Sequence, residues 1–182
     1  MDFSIFLNQT AAVISEFTMF FYGSPWGIVI LFLFTLFANA SIVLPILVEP
    51  IVLVVAAFAP NLETAIFVGV LTGTAAAIGE MSGYILGLFG VKTLKKMSAV
   101  KTEKIFEVGE KLANKGMPII FIFSFTPLPF DIIGIAAGVI KYDPKRFFLA
   151  TWLGKVLRYV LVALVGYLGM EALPWLGTML GI

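Results

Sequence analysis

Between Met117 and Ile140 runs a stretch hydrophobic enough for a membrane, and it is broken at its centre by Thr126, Pro127, Leu128, Pro129, Phe130 and Asp131. Seven lysines between Lys92 and Lys115 precede it, and Lys141, Lys145 and Arg146 follow it. Short basic loops stay on the cytoplasmic side of a bilayer, so both flanks read as cytoplasmic. A single continuous crossing cannot begin and end on one face. Residues 117–140 are therefore expected to form a re-entrant hairpin with Pro127 and Pro129 near its tip. Irregular backbone at membrane depth is tolerated only where it is buried in protein or lines a polar cavity. The break thus points to a transporter-like site with Asp131 inside it.

Composition agrees with a polytopic membrane protein. Of 182 residues 60% are hydrophobic and only 13% charged, and mean hydropathy is +1.06, values outside the range of a soluble domain. Ten of the twelve Lys and Arg residues lie in the two flanks just named. The cations therefore mark membrane sidedness, and no nucleic-acid partner is implied. Cysteine and histidine are absent, which removes disulfides, thiol nucleophiles, histidine bases and the usual zinc or haem ligands. No metal or other cofactor is expected. The N-terminus carries neither a basic leader nor a small-residue cleavage site, so it does not read as a cleaved signal peptide.

The expected fold is an all-α polytopic membrane protein in one membrane domain. Residues 2–22 read as an N-terminal helix that either lies in the interface or crosses. Residues 26–40 are long enough for a short crossing. Residues 41–60, with Pro45, Glu49, Pro50 and Pro60, read as a first re-entrant hairpin entering from the outer face. A transmembrane helix over 62–90 leads to a cytoplasmic surface helix over 91–116, where Glu107 and Lys111 stand four apart in the favourable order. The second hairpin, 117–140, is followed by a last crossing over 145–171.

The two halves resemble each other. Pro45 precedes Glu49 by four residues as Pro127 precedes Asp131, and a glycine follows each acid by some two dozen residues, at Gly73 and Gly154. Gly83, Tyr84 and Gly87 in the first half match Gly166, Tyr167 and Gly169 in the second. With the hairpins entering from opposite faces, the expectation is an inverted repeat of two facing re-entrant hairpins, each followed by a transmembrane helix, an arrangement that builds sites near the midplane. Glycine and proline are common in membrane segments, and chance similarity is the plainer alternative.

Five ionisable residues fall at membrane depth in this layout: Glu49, Glu80, Asp131, Lys155 and Arg158. Each costs about 2.5–3.5 kcal/mol at a helix centre on insertion scales. Such charges must pair or line a wet cavity. Gly73, Ala76, Glu80, Gly83 and Gly87 recur at steps of three and four, giving one helix face of small residues around one carboxylate; Thr151, Lys155, Arg158 and Gly169 share a face by the same rule. The plainer alternatives are ion pairs that only neutralise one another and, for Lys155, snorkelling to the inner surface.

The strings FSFTPLPFDIIGIAAG from Phe123 to Gly138, KRFFLATWLGK from Lys145 to Lys155 and GYLG from Gly166 to Gly169 resemble the DedA family of membrane proteins, also called the VTT or SNARE-associated domain. Gly79, Glu80, Gly83, Tyr84 and Gly87 are similar to its first-half pattern, and Pro45 to Glu49 to its first hairpin motif. The resemblance implies two facing hairpins and movement of a lipid across the bilayer, polyprenyl-phosphate carriers in bacterial and archaeal members and phospholipids in eukaryotic relatives. It also implies acids, arginines and a proton or sodium gradient. This chain departs from the pattern: Ser124 and Phe130 stand where many bacterial members carry arginines, and Asn39 stands near the place of an acid expected before the first hairpin.

The resulting expectation is a flippase, not an enzyme, in the cell membrane, with 91–116 and 141–146 cytoplasmic. Its partner is a polyprenyl or dolichyl phosphate, or another phospholipid headgroup, with a proton or sodium as coupling ion; a homo-oligomer is compatible with the sequence. Arg158 and Lys155 are expected to hold the phosphate, with Thr126, Pro127 and Pro129 supplying backbone groups at the hairpin tip. Glu49, Glu80 and Asp131 are expected to carry protons. The alternatives are an uncoupled phospholipid scramblase and a proton-coupled small-ion or drug antiporter.

Overall fold

Local capping chemistry explains where several helices begin. Ser24 accepts a hydrogen bond from the Trp26 backbone N–H just ahead of Pro25, and Asp143 accepts one from the Arg146 N–H just ahead of Pro144. Proline at a first helical position loses no hydrogen bond that the helix would have made. The computed structural model describes residues 3–41, 44–89, 99–128 and 130–180, and every regular element among them is helical. These are α1 (Phe3–Tyr22), α2 (Pro25–Asn39), a 3₁₀ turn (Leu44–Leu47), α3 (Val48–Ala57), α4 (Leu62–Phe89), α5 (Ala99–Phe125), α6 (Asp131–Val139) and α7 (Pro144–Leu180).

Among the described residues two helices are long and apolar enough to cross a membrane, α4 and the stretch Pro144–Ala172 of α7. They form the centre of the bundle and run antiparallel, with Gly73 against Val156 and Gly69 against Val160. A Cβ on Gly73 would strike the Val156 backbone. Glycine here sets how closely the two long helices approach.

The shorter helices form two hairpins against this pair. In the second, the N-terminal and C-terminal bases lie together: the Tyr142 ring rests on Gly116, and Ile140 rests on Gly109. Its first arm, residues 116–125, runs parallel to α7, with Ser124 facing Gly154 and Thr126 facing Arg158. Its second arm, α6, runs parallel to α4, with Gly134 beside Gly83 and Gly138 beside Tyr84. In the first hairpin, α2 runs parallel to α4, with Leu36 beside Gly79 and the Ser82 hydroxyl donating to the Ala40 carbonyl. Its second arm, α3, runs parallel to α7, with Leu53 against Gly166. The Tyr22 hydroxyl donates to the Val55 carbonyl at 2.5 Å, holding this hairpin's base at the end of the bundle where α4 begins. The other base sits where α4 ends, since the Tyr84 hydroxyl donates to the Tyr142 carbonyl at 2.5 Å. The hairpins therefore enter from opposite ends and their tips meet in the middle.

Several boundaries differ from the sequence expectation. The first hairpin is not contained in 41–60: its first arm is α2, expected as a separate crossing over 26–40, and the turn falls between Asn39 and Val48. Pro50 misleads because it sits in the first turn of α3, where a missing N–H breaks nothing. The segment 91–116 divides; residues 90–98 lie outside the described residues, and the helix from Ala99 is joined to the hairpin arm through a kink at Lys115. That helix also contributes to the core through Ile105 and Leu112 and is not merely a surface element. α1 is helical as expected and meets α2 at a bend of 82°, measured between Ala12–Tyr22 and Pro25–Asn39. Among the described residues nothing packs on Gly169, whereas Gly166 meets Leu53 and Ala57. α3 ends at Ala57, beside Gly166, so no neighbouring helix is left for the next glycine.

Candidate functional site

Where the tips meet, a cavity of about 350 Å³ is lined by all five of the membrane-depth charges, Glu49, Glu80, Asp131, Lys155 and Arg158. Its size falls within the range of small-ligand pockets. Each tip adds apolar walls, Pro45 and Ile46 from the first hairpin and Pro127 and Leu128 from the second. The charges come from four helices, α3, α4, α6 and α7.

Two ion pairs organise the lining. The Lys155 ammonium donates to Glu80 at 2.7 Å, and both side chains are about 5% exposed. It also donates to Asn39 Oδ1 at 3.3 Å, while the Asn39 amide donates to the Thr35 carbonyl. The Lys155 nitrogen lies 5.5 Å from the centre of the Phe130 ring, a favourable cation–π position. This ammonium is pointed inward and held by three groups, Glu80, Asn39 and the Phe130 ring, which excludes snorkelling.

Arg158, one turn further along α7, lines the cavity and is 17% exposed. Its guanidinium forms an ion pair with Glu49 on α3 and donates through Nη1 to the Thr126 carbonyl at 2.7 Å. One side chain thereby holds both hairpin tips. A lysine has no fork with which to do this.

Asp131 opens α6 and is half-buried in the cavity wall. A carboxylate in the first turn is stabilised by the unpaired helix N–H groups. Among the described residues it forms no ion pair, whereas Glu49 and Glu80 each have one.

Thr126 contributes its carbonyl and not its hydroxyl, which donates to the Ile122 carbonyl at 2.8 Å. Pro127 lines the cavity. Pro129 lies outside the described residues. Tyr159 is a lining residue that the sequence pattern did not single out; its spacing of four from Lys155 was the available signal. Thr35 and Thr151 lie one turn from Asn39 and Lys155, and both hydroxyls are buried without a hydrogen-bond partner among the described residues.

The family model of the VTT domain matches residues 44–168, a stretch holding all five charges and the tip residues Pro45, Ile46, Pro127 and Leu128 that line the cavity. The chain belongs to the VTT-domain, or DedA, family. It is thus a membrane protein of a transporter or flippase-type family. No curated protein and no solved structure matched the chain. The matched VTT stretch excludes Asn39, although that side chain reaches the site. At the two places where the resemblance leads one to expect arginine, Ser124 is buried against Gly154 and donates to the Phe121 carbonyl at 3.0 Å, and Phe130 presents its ring to Lys155. Among the described residues, the cations of this VTT domain's cavity, Lys155 and Arg158, both come from α7.

Proposed function

We propose that this VTT-domain protein is a flippase for a phosphate-headed lipid, a polyprenyl or dolichyl phosphate, and that it couples movement to an ion gradient across the cell membrane. The observation that carries the reading is the charged cavity between two hairpin tips, with Arg158 partly exposed in its lining. A guanidinium can exchange a carboxylate for two phosphate oxygens without changing its own geometry. Lys155, nearer the centre, adds a fixed positive charge.

Coupling follows from the charge balance of the lining. With every group ionised, three carboxylates face two cations, and the excess negative charge repels a phosphate. Protonation of Asp131, the lining carboxylate that forms no ion pair among the described residues, removes that excess. An incoming proton and an incoming anion then favour each other, and the same argument holds for a sodium ion beside Asp131. The reading involves no covalent chemistry.

Corresponding arms of the two hairpins pack in corresponding ways on the antiparallel pair of long helices, which supports an inverted repeat and alternating exposure of the site. The basic flanks support a cytoplasmic position for the base of the second hairpin. Single cysteines introduced at Lys96 and Lys145 of this cysteine-free chain should both react with an impermeant maleimide from the cytoplasmic side; reaction from opposite sides would remove the hairpin topology.

Asp131→Asn tests the coupling. Because no buried cation loses its partner, thermal stability should stay near that of the wild type, while transport driven by a pH gradient into proteoliposomes stops. A variant that still responds normally to the gradient would transfer the role to Glu49 or Glu80. Wild-type movement of lipid phosphate that ignores any imposed proton or sodium gradient would favour an uncoupled scramblase instead.

A further inference from the structure

We infer that an apolar groove on the far side of Arg158 seats the hydrocarbon chain of the same lipid, so that the Arg158–Glu49 pair marks the boundary between headgroup and tail. The inference rests on the phosphate-lipid reading. A second cavity, of about 310 Å³, is walled by Phe125, Leu161 and Val162. Glu49, Pro127 and Arg158 line both cavities, so the two spaces adjoin across one ion pair and one tip proline.

The two sides differ in chemistry. Glu80, Asp131 and Lys155 line only the first cavity, whereas beyond the pair the walls are Phe125, Leu161, Val162 and Thr126, whose hydroxyl is already taken up by the Ile122 carbonyl. Leu161 is 44% exposed, so the groove opens to the outside of the bundle, where the apolar exterior of a membrane protein meets acyl chains. A water-soluble phosphate would use the polar cavity alone. A molecule with an ionic end and a hydrocarbon end fills both, and its first few carbons must pass the Arg158–Glu49 pair. Burial of those carbons removes apolar surface from water, a gain unavailable to a headgroup without a chain.

The test uses the full chain in phosphatidylcholine nanodiscs with two photoreactive probes. One is farnesyl phosphate carrying a diazirine in its first isoprene unit, and the other is the matching farnesol. The expected result is labelling of Phe125, Leu161 and Val162 by the phosphate probe and much weaker labelling there by the alcohol. Equal labelling by both would make the groove ordinary lipid-facing surface and overturn the inference. Labelling elsewhere by the phosphate probe, with methyl phosphate still binding and competing for the polar cavity, would overturn the tail placement and leave the headgroup reading standing. If neither methyl phosphate nor the phosphate probe binds, the headgroup reading falls and the groove assignment falls with it. Val162→Trp, which fills the groove, should weaken farnesyl phosphate binding about tenfold with methyl phosphate affinity unchanged. Unchanged farnesyl phosphate affinity in the folded variant would also overturn the inference, and the wild-type labelling decides the matter should the variant not fold.

Discussion

Glu80→Gln is expected to destabilise the protein by about 3–5 kcal/mol, the cost of leaving one member of a buried ion pair without its partner. Lys155 and Glu80 are each about 5% exposed, and the remaining contacts of the ammonium, Asn39 Oδ1 and the Phe130 ring, carry only partial negative charge. Lys155→Met strands the carboxylate in the same way. The double change Glu80→Met with Lys155→Met should restore most of the loss, because apolar groups of similar volume replace a buried pair at little cost. Transport should not return with it, since the fixed cation of the cavity is gone. Unfolding of the four proteins in bicelles, with transport measured on the same preparations, checks both halves. A Glu80→Gln protein as stable as the wild type would show that the pair is not formed in the membrane.

Arg158→Lys is expected to lower transport on the order of 10–100-fold, the loss of one charge-assisted hydrogen bond, with much less effect on stability. The charge remains opposite Glu49, and the site is partly open. What disappears is the fork: Nη2 serves the first hairpin through Glu49 while Nη1 serves the second through the Thr126 carbonyl. An ammonium on a flexible stem is a point charge and cannot hold both tips in one geometry or take two phosphate oxygens side by side. Proteoliposome transport of a lipid phosphate by purified Arg158→Lys protein decides the matter, and wild-type rates would show that charge alone suffices.

Much of the candidate site was legible from spacing. A helix turns 100° per residue, so Gly73, Ala76, Glu80, Gly83 and Gly87 had to share a face, and these small residues are where α7 and α6 approach α4. The cost of charge at membrane depth marked the five ionisable residues out of a chain otherwise apolar. The first hairpin was harder to read. Its turn carries Pro45, but Pro50 in α3 is silent in a first turn, so proline content alone placed the arms wrongly. Gly166 and Gly169 look alike in sequence, and only the end of α3 at Ala57 separates their roles.

By itself the sequence determined the all-helical membrane character, the break at Thr126 to Asp131, the shared cytoplasmic sidedness expected for its flanks, and the set of charges that must find partners. Those properties follow from local periodicity and from the free energy of placing polar groups in lipid, neither of which depends on which helix is the neighbour. Partner choice does depend on it. Only the tertiary structure decided that Lys155 turns to Glu80 and Asn39, that Arg158 joins Glu49 to the Thr126 carbonyl, that Tyr159 enters the lining and that Asp131 forms no ion pair among the described residues. Periodicity says which way a side chain leaves its own helix; the antiparallel approach of α4 and α7, with hairpins entering from opposite ends, says what it meets.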